Sequence, residues 1–305
     1  MASEGAAAGL TLASADPVGR LIWSLDGLIG SDGAWEGVAA TAAYRRYRPD
    51  VRGSAFAVRQ TPSAQDAVRP PGLDADYAGV GLEVALERDF LSQIQRFAAG
   101  GSAGRLHADP LSDGTRALAF AEASYAALVT PGEWRLTAAA GLTGAAGSTA
   151  GERWTRATST LALGAGRGGG VLRAETSLGR TGGDAPVWET FAAGGLASPL
   201  VDPSLLTQRL PLPAVPLGYV GGERIWTARF EARARSGLAA FWWAGTAGEE
   251  LGDWKRALGI EWVLDKGPLP YLGLPASRVE AGIARVLDAP LRHETRGWLS
   301  LSFRP

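Results

Sequence analysis

The sequence predicts an all-β protein, an antiparallel transmembrane β-barrel of about 14 strands within a range of roughly 12 to 16. Apolar and polar residues alternate with period two along most of the chain, which is the signature of strands. The alternating runs are about ten residues long or more, the length that a tilted strand needs to cross a bilayer. The 42 glycines among 305 residues disfavour helices, and a mean hydropathy of +0.00 suits strands with two unlike faces.

The strands are expected in the following order. Residues 1–16 are small and featureless, which predicts a linker or a frayed end, and residues 17–305 are assigned to the barrel. Turn signals such as Thr130-Pro131-Gly132 and Gly168-Gly169-Gly170 separate the alternating runs. The predicted strands cover 20–29, 34–47, 51–60, 76–87, 93–108, 115–128, 132–146, 153–166, 170–182, 221–235, 238–248, 254–264, 276–287 and 295–303.

The polar faces of these strands indicate which side faces a lumen. In 226–235, Trp226 and Phe230 share the apolar face, and the opposite face mixes arginine and glutamate. Charges of both signs among small residues are typical of a narrow polar lumen. The residues predicted to face it are Glu83, Arg135, Arg229, Glu231, Arg233, Arg235, Glu261, Arg278 and Glu280. In residues 115–128, Glu122 falls on the same side of the predicted strand as the apolar residues Leu118 and Phe120. The inward and outward faces of this strand are therefore left unassigned.

Tryptophans cluster near strand ends. Trp35, Trp134, Trp226 and Trp254 lie at or near strand starts, where an aromatic girdle at a lipid interface would place them. The alternative is that they are ordinary core tryptophans. The girdle interpretation makes membrane lipid the expected partner of the apolar faces.

Residues 183–220 interrupt the alternation. Prolines at 186, 199, 203, 211, 213 and 216 exclude a central strand there. Because ordering so long a loop costs entropy, such loops are usually functional, and we expect a lumen or lid loop. A floppy surface loop is the alternative.

Composition excludes several classes of function. Without cysteine there is no disulfide framework, thiolate nucleophile or zinc-thiolate site. A formal net charge of −1 lacks the basic surplus that nucleic-acid binding requires. The two histidines, His107 and His293, leave only an all-carboxylate cation site. Glu249, Glu250 and Asp253 are more typical of a solvated turn, so neither metal nor cofactor is expected.

Two short motifs look catalytic. Gly100-Gly101-Ser102-Ala103-Gly104 matches the nucleophile elbow, which requires a strand before the serine and a helix after it. The chain continues instead into His107-Ala108-Asp109-Pro110, so a soluble β-rich protein or serine hydrolase using Ser102 stays only as an alternative. Residues 164–169 fit G-x-G-x-x-G, but a strand follows and a hairpin turn explains them better. The sequence therefore predicts a protein that is not an enzyme.

The last third of the chain resembles the bacterial surface antigen barrels, the superfamily of BamA and TamA. Glu189-Thr190-Phe191-Ala192-Ala193-Gly194-Gly195 is similar to the segment that opens their long loop, and 221–233 and 238–245 resemble the strands after it. The resemblance implies a loop that folds back into the barrel before the last five strands, and sixteen strands in all. Its motif residues would be Phe191, Gly194, Gly195 and Arg209, although the family's arginine–glycine tip is absent because Leu210 follows Arg209.

Both ends of the chain extend the resemblance. The terminal aromatic strand, with Trp298, Leu299, Leu301 and Phe303, looks like the signal that barrel-assembly machinery recognises during insertion. Residues 16–23 and 44–50 are similar to the junction that follows a TolB-like propeller. The implied role is an outer-membrane domain that anchors or accompanies a periplasmic propeller or client-binding module in assembly or translocation. A passive or gated small-solute pore is the alternative, in which the lumen arginines would favour anions.

Overall fold

The computed structural model describes residues 7–30, 35–46, 48–60, 75–108, 111–194, 200–201, 205–210, 220–266, 276–288 and 295–304. These residues contain one antiparallel sheet of fifteen strands. Its strands are β1 Ala7–Ala15, β2 Leu21–Gly30, β3 Trp35–Tyr44, β4 Asp50–Gln60, β5 Ala75–Phe90, β6 Gln93–Ala108, β7 Leu111–Val129, β8 Arg135–Thr149, β9 Glu152–Arg167, β10 Gly170–Gly183, β14 Arg224–Arg233, β15 Leu238–Gly248, β16 Lys255–Lys266, β17 Ala276–Val286 and β18 Thr295–Arg304.

A second, three-stranded sheet belongs to the connection between β10 and β14. It is formed by β11 Phe191–Ala193, β12 Arg209–Leu210 and β13 Val220–Gly222, in the order β12-β11-β13. A 3-10 turn, Val187–Glu189, precedes it. We call residues 184–223 the inner loop. Within the described residues, no helix is long and apolar enough to cross a membrane.

Each strand of the large sheet pairs with its neighbours in sequence, and the inner loop is bypassed because β10 pairs directly with β14. Antiparallel order puts tight turns such as Leu91–Ser92 and Gly168–Gly169 at one end, the short-turn rim. The inner loop leaves and rejoins the wall at the other end, the long-loop rim. Gly168 and Gly169 have φ of 59° and 90°, the left-handed conformation that a two-residue hairpin turn requires.

All fourteen predicted strands are present, and the all-β barrel prediction is confirmed. The linker prediction was wrong for residues 7–15, which form β1 and pair with β2 from Ala7↔Gly30 to Ala15↔Ile22. The sequence did not reveal this strand because its small side chains give only a weak apolar pattern. The backbone hydrogen bonds to β2 stabilise the strand instead. The count rises to fifteen, within the predicted range.

The outward face of the wall is apolar. Val80, Leu82, Leu163 and Leu172 are 60%, 57%, 51% and 60% exposed, and they alternate with residues that face inward. A soluble protein would bury such a face, whereas a barrel presents it to lipid. The alternation that predicted strands thus also marks the lipid-facing band.

The interior contains an apolar core shared between the wall and the inner loop. Trp35 of β3 and Leu118 and Phe120 of β7 belong to one buried cluster with Leu205 and Leu206 of the inner loop. A second cluster joins inner-loop residues to β14–β17. Since the same loop touches inner faces from β3 to β17, the sheet curves around it.

This core shows which face of β7 points inward, and it corrects the assignment of Trp35 to the aromatic girdle. Leu118 and Phe120 are 6% and 5% exposed and face inward with Glu122, whereas Ala119 and Ala121 face outward. The apolar side chains of β7 lie in the same buried cluster as Leu205 and Leu206 of the inner loop. Trp35, expected in the aromatic girdle, is only 7% exposed and lies in this core, whereas Trp134 and Trp226 are 43% and 40% exposed.

Candidate functional site: the inner loop and its anchor

One buried carboxylate anchors the inner loop to the wall. Glu189 ends the 3-10 turn and is 0% exposed. Its Oε1 accepts a hydrogen bond of 2.6 Å from Arg116 Nε, and its Oε2 accepts bonds of 3.1 Å each from Arg116 Nη2 and Arg156 Nη1. Thr149 Oγ1 donates to Oε1 at 2.7 Å. One loop residue therefore binds three neighbouring strands, β7, β8 and β9.

The two guanidinium groups are held by further contacts. Arg116 Nη1 donates to Tyr77 Oη at 3.0 Å, and the Arg116 guanidinium lies 5.1 Å from the Tyr77 ring centre. Arg156 stacks 4.7 Å from the Trp154 ring and donates from Nε to Thr207 Oγ1 at 2.9 Å. Because Thr207 belongs to the inner loop, Arg156 holds the loop at two places.

The pairing of opposite charges explains why this cluster tolerates burial. Burial alone would raise the pKa of Glu189, but the charge and hydrogen bonds of Arg116, with Arg156 and Thr149, lower that pKa to about 2. The carboxylate is therefore ionised at neutral pH. Two cations against one anion give the cluster a formal charge of +1, so removal of the anion would leave two buried, uncompensated guanidinium groups.

Phe191 fixes the position of the next part of the loop. It is 0% exposed, and its ring lies against Gly179 of β10, where an added Cβ would overlap the ring. Ala192 and Ala193 pair with β12 and β13, so the loop satisfies its backbone groups within its own small sheet. A glycine in the wall thus makes the space into which the loop's aromatic residue fits.

Two Arg–Glu networks line the inner face nearer the short-turn rim. Arg96 donates to Glu83 at 2.5 Å and to Glu122 at 2.8 Å. On the opposite wall, Arg233 donates to Glu231 at 2.8 Å and to Glu261 at 2.7 Å. These side chains are partly exposed, unlike the anchor of the loop.

The structure also places Arg229, which donates to Glu231 at 2.5 Å and thereby joins the second network. Arg135 is the first residue of β8 and is exposed at the short-turn rim. Arg235 is not on a strand face: it lies in the exposed turn after β14, because the strand ends at Arg233. Arg278 and Glu280 lie in β17, but their side chains fall outside the described part of the structure.

The motif residues taken from the resemblance fall in several places. Phe191 is buried as described, and Gly194 follows β11 with φ of 140°. Arg209 lies in β12, but its side chain is outside the described part, and Gly195 lies outside it altogether. The terminal residues Trp298, Leu299, Leu301 and Phe303 lie in β18, and their side chains are likewise outside it.

Ser102 is not arranged as a nucleophile. It lies within β6 on the inner face, 8% exposed, and its Oγ is 3.2 Å from Tyr77 Oη. His107 has the opposite parity on the same strand and is exposed on the outer face. The sharp turn of a nucleophile elbow is absent because the strand continues to Ala108. Asp109 lies outside the described residues.

Sequence reasoning missed the anchor. The alternation places Arg116 and Arg156 on inner faces, and Glu189 follows a tryptophan. However, Glu189 is 73 residues from Arg116 and 33 residues from Arg156 in the sequence. The available signal was the inward parity of two arginines that no acid on an adjacent strand matches. Asp253, considered as a cation ligand, instead accepts hydrogen bonds from Lys255 at 2.8 and 2.9 Å.

Comparison with known proteins gives structural similarity only. No family model and no curated protein matches the sequence. CdiB from Acinetobacter baumannii is similar over 97% of this chain and 56% of its own length, with 10% identity and a TM-score of 0.54. Pseudomonas aeruginosa OccK11 (OpdR) is similar over 98% and 88%, with 14% identity and a TM-score of 0.44. The outer membrane protein opdK from Pseudomonas aeruginosa shows 12% identity over 97% and 93%, with a TM-score of 0.38.

The chain has the fold of an outer-membrane β-barrel. The similarity to CdiB carries this conclusion at the level of fold. The apolar outward face agrees with it, because only a lipid environment accommodates so much exposed apolar surface on one face. Fold and surface together place the chain in the bacterial outer membrane.

Proposed function

We propose that this chain is a non-enzymatic membrane domain of the bacterial surface antigen type, kept closed by its inner loop, that anchors or accompanies a periplasmic module in protein assembly or translocation. The observation that carries the proposal is the buried bonding of Glu189 to Arg116 and Arg156. Contacts with three strands hold the loop inside the wall, which favours a lumen that the loop fills over an open channel. A closed membrane domain needs such an anchor to keep its lumen sealed.

The inner loop follows β10 and precedes the last five wall strands, which is the arrangement that the family resemblance implies. The Phe191 seat on Gly179 gives the loop one preferred position. The anchor differs from the family's arginine–glycine tip: here the loop supplies the acid and the wall supplies the arginines.

Exposed apolar residues at the short-turn rim favour contact with a periplasmic module. Outer-membrane barrels turn their short connections toward the periplasm. At the tip of the β5–β6 hairpin, Phe90 and Leu91 are 68% and 95% exposed. Apolar side chains at a water-facing rim suit contact with another protein module.

The electrical conductance of the reconstituted chain tests whether its lumen is closed. The purified chain, reconstituted in planar bilayers, should stay electrically silent over a range of voltages. Heat-modifiable gel migration checks in the same preparation that the barrel is folded. Steady conductance of the unaltered protein would overturn the closed-domain proposal.

Photocrosslinking tests the module. A photoreactive residue at Leu91 should form adducts in cells with an identified periplasmic propeller or client-binding protein, or with such a module of the same polypeptide. The same probe at Glu133, exposed at the same rim, is the matched control. Equal or absent adducts at both positions would contradict a docking role for the β5–β6 tip.

A small-solute pore is the second candidate, and the Arg–Glu network around Arg229 and Arg233 favours it. Its signature is an anion-selective conductance that falls when both arginines are replaced by glutamine. Silence of the unaltered protein argues against the pore and leaves the closed domain.

A further inference from the structure

Two arginines face each other on the outer surface of the wall near the long-loop rim. Arg180 of β10 and Arg224 of β14 are directly opposite in the antiparallel register. Their parity is outward, because their neighbours Thr181 and Ile225 are buried on the inner side at 2% and 0% exposure. Directly opposite residues have Cβ atoms about 5 Å apart, so the two guanidinium groups share one patch of surface.

Neither arginine is neutralised within the described residues. Asp184 and Glu223 are the nearest acids along the chain, and neither forms an ion pair with Arg180 or Arg224 in that part of the structure. Like charges directly opposite each other on a sheet are destabilising. Some other exposed arginines of this chain do have partners, such as Arg167 with Glu133 at 2.8 Å.

The position of the pair indicates its partner. The next outward pair on the same two strands is Leu178 and Trp226, 45% and 40% exposed. Trp226 packs edge-on against Trp254 with ring centres 5.0 Å apart. Exposed tryptophans mark the level of lipid head groups in membrane barrels. The arginines therefore lie at head-group height on the leaflet of the long-loop side.

We propose that Arg180 and Arg224 form a binding site for the phosphate groups of a membrane lipid in that leaflet. Two guanidinium groups on one patch match phosphate, which accepts bidentate, charge-assisted hydrogen bonds. Bound phosphate removes the repulsion between the arginines, and Leu178 and Trp226 lie where the acyl chains of the same lipid begin. Arg153 of β9, also exposed, adds positive charge nearer the rim.

Native mass spectrometry of the detergent-purified chain tests the site. The probes are a bisphosphorylated glycolipid, the same glycolipid without phosphate, and inorganic phosphate alone. The unaltered chain should retain the phosphorylated glycolipid and bind the dephosphorylated form weakly. Each basic residue at an anionic membrane surface contributes about a fivefold effect, so the double variant R180Q/R224Q should bind about 25-fold more weakly.

Matched variants separate charge from folding. R167Q, at the short-turn rim, should bind like the unaltered chain, and R180K/R224K, which keeps both charges but loses the bidentate hydrogen bonds, should bind more tightly than R180Q/R224Q and less tightly than the unaltered chain. Heat-modifiable migration confirms that each variant is folded. Equal retention by R180Q/R224Q and R167Q would overturn the proposal. Binding of inorganic phosphate alone, without preference for the phosphorylated glycolipid, would overturn the assignment to lipid.

Discussion

Replacing Glu189 by glutamine keeps the shape of the side chain but removes the one negative charge that pairs with two buried arginines. The pKa of this carboxyl falls from an ordinary value of 4.5 to about 2 when the loop is docked. That shift corresponds to about 3 kcal/mol of docking free energy. Breaking a buried ion pair costs about 3–5 kcal/mol, which agrees. At about 1.4 kcal/mol per decade, the ratio of docked to undocked loop should fall roughly 10²- to 10³-fold.

Cysteine labelling measures this ratio, because the unaltered chain contains no cysteine. A cysteine introduced at Leu206, an inner-loop residue that is 4% exposed, reacts with a bulky maleimide only when the loop leaves the lumen. In the L206C background, E189Q should speed labelling by roughly two to three orders of magnitude if opening is fast and reversible. E133Q, which removes an exposed ion pair with Arg167, is the control, since such pairs contribute about 0–1 kcal/mol.

Labelling rates of E189Q and E133Q that agree within a factor of about three would refute the reasoning. Such a result would mean that apolar packing around Trp188 and Leu205 holds the loop without help from the ion pairs. Rapid labelling of L206C alone would equally contradict a docked loop.

Three further predictions follow from the same geometry. Because the docked-state pKa of Glu189 is depressed, its stabilisation is complete above about pH 4.5 and is lost as pH falls toward 2; L206C labelling, divided by the rate of a fully exposed cysteine at the same pH because only the thiolate reacts, should accelerate in that window, and E189Q should lack this pH dependence. G179A should push Phe191 from its seat, destabilising the docked loop by about 1–3 kcal/mol in the labelling assay, whereas G144A, whose Cβ meets open space, should change it little. S102A should leave hydrolysis of model esters at the level of the unaltered chain, and a hydrolytic signal that disappears in S102A would revive the serine-hydrolase alternative.

The strands could be predicted because their signal is local. Alternation along β5 or β14 follows from a two-residue period and needs no knowledge of distant residues. The prediction failed at β1, where Ala7–Ala15 has a weak apolar pattern and the backbone ladder to β2 supplies the stability. It was incomplete at β7, where Leu118 and Phe120 face inward.

The faces of β7 could not be assigned because parity shows that two residues share a side, not what lies on that side. The inward positions of Leu118 and Phe120 depend on Leu205, which is distant in sequence and arrives from the inner loop. The Arg–Glu networks near the short-turn rim were easier to anticipate, since their members lie on the same or adjacent strands. The anchor could not be anticipated, because Glu189 lies 73 residues from Arg116 and 33 residues from Arg156 in the sequence.

The sequence alone determined the all-β class, the fourteen recognisable strands, the outward apolar band and the position of the long loop. Each of these follows from residue types at short spacing. Only the tertiary structure decided that the loop lies inside the wall and that Glu189 meets Arg116 and Arg156 there. The physical reason is that charge balance in a buried site depends on groups brought together by the curvature of the sheet, and no local pattern records which distant partner a buried charge will meet.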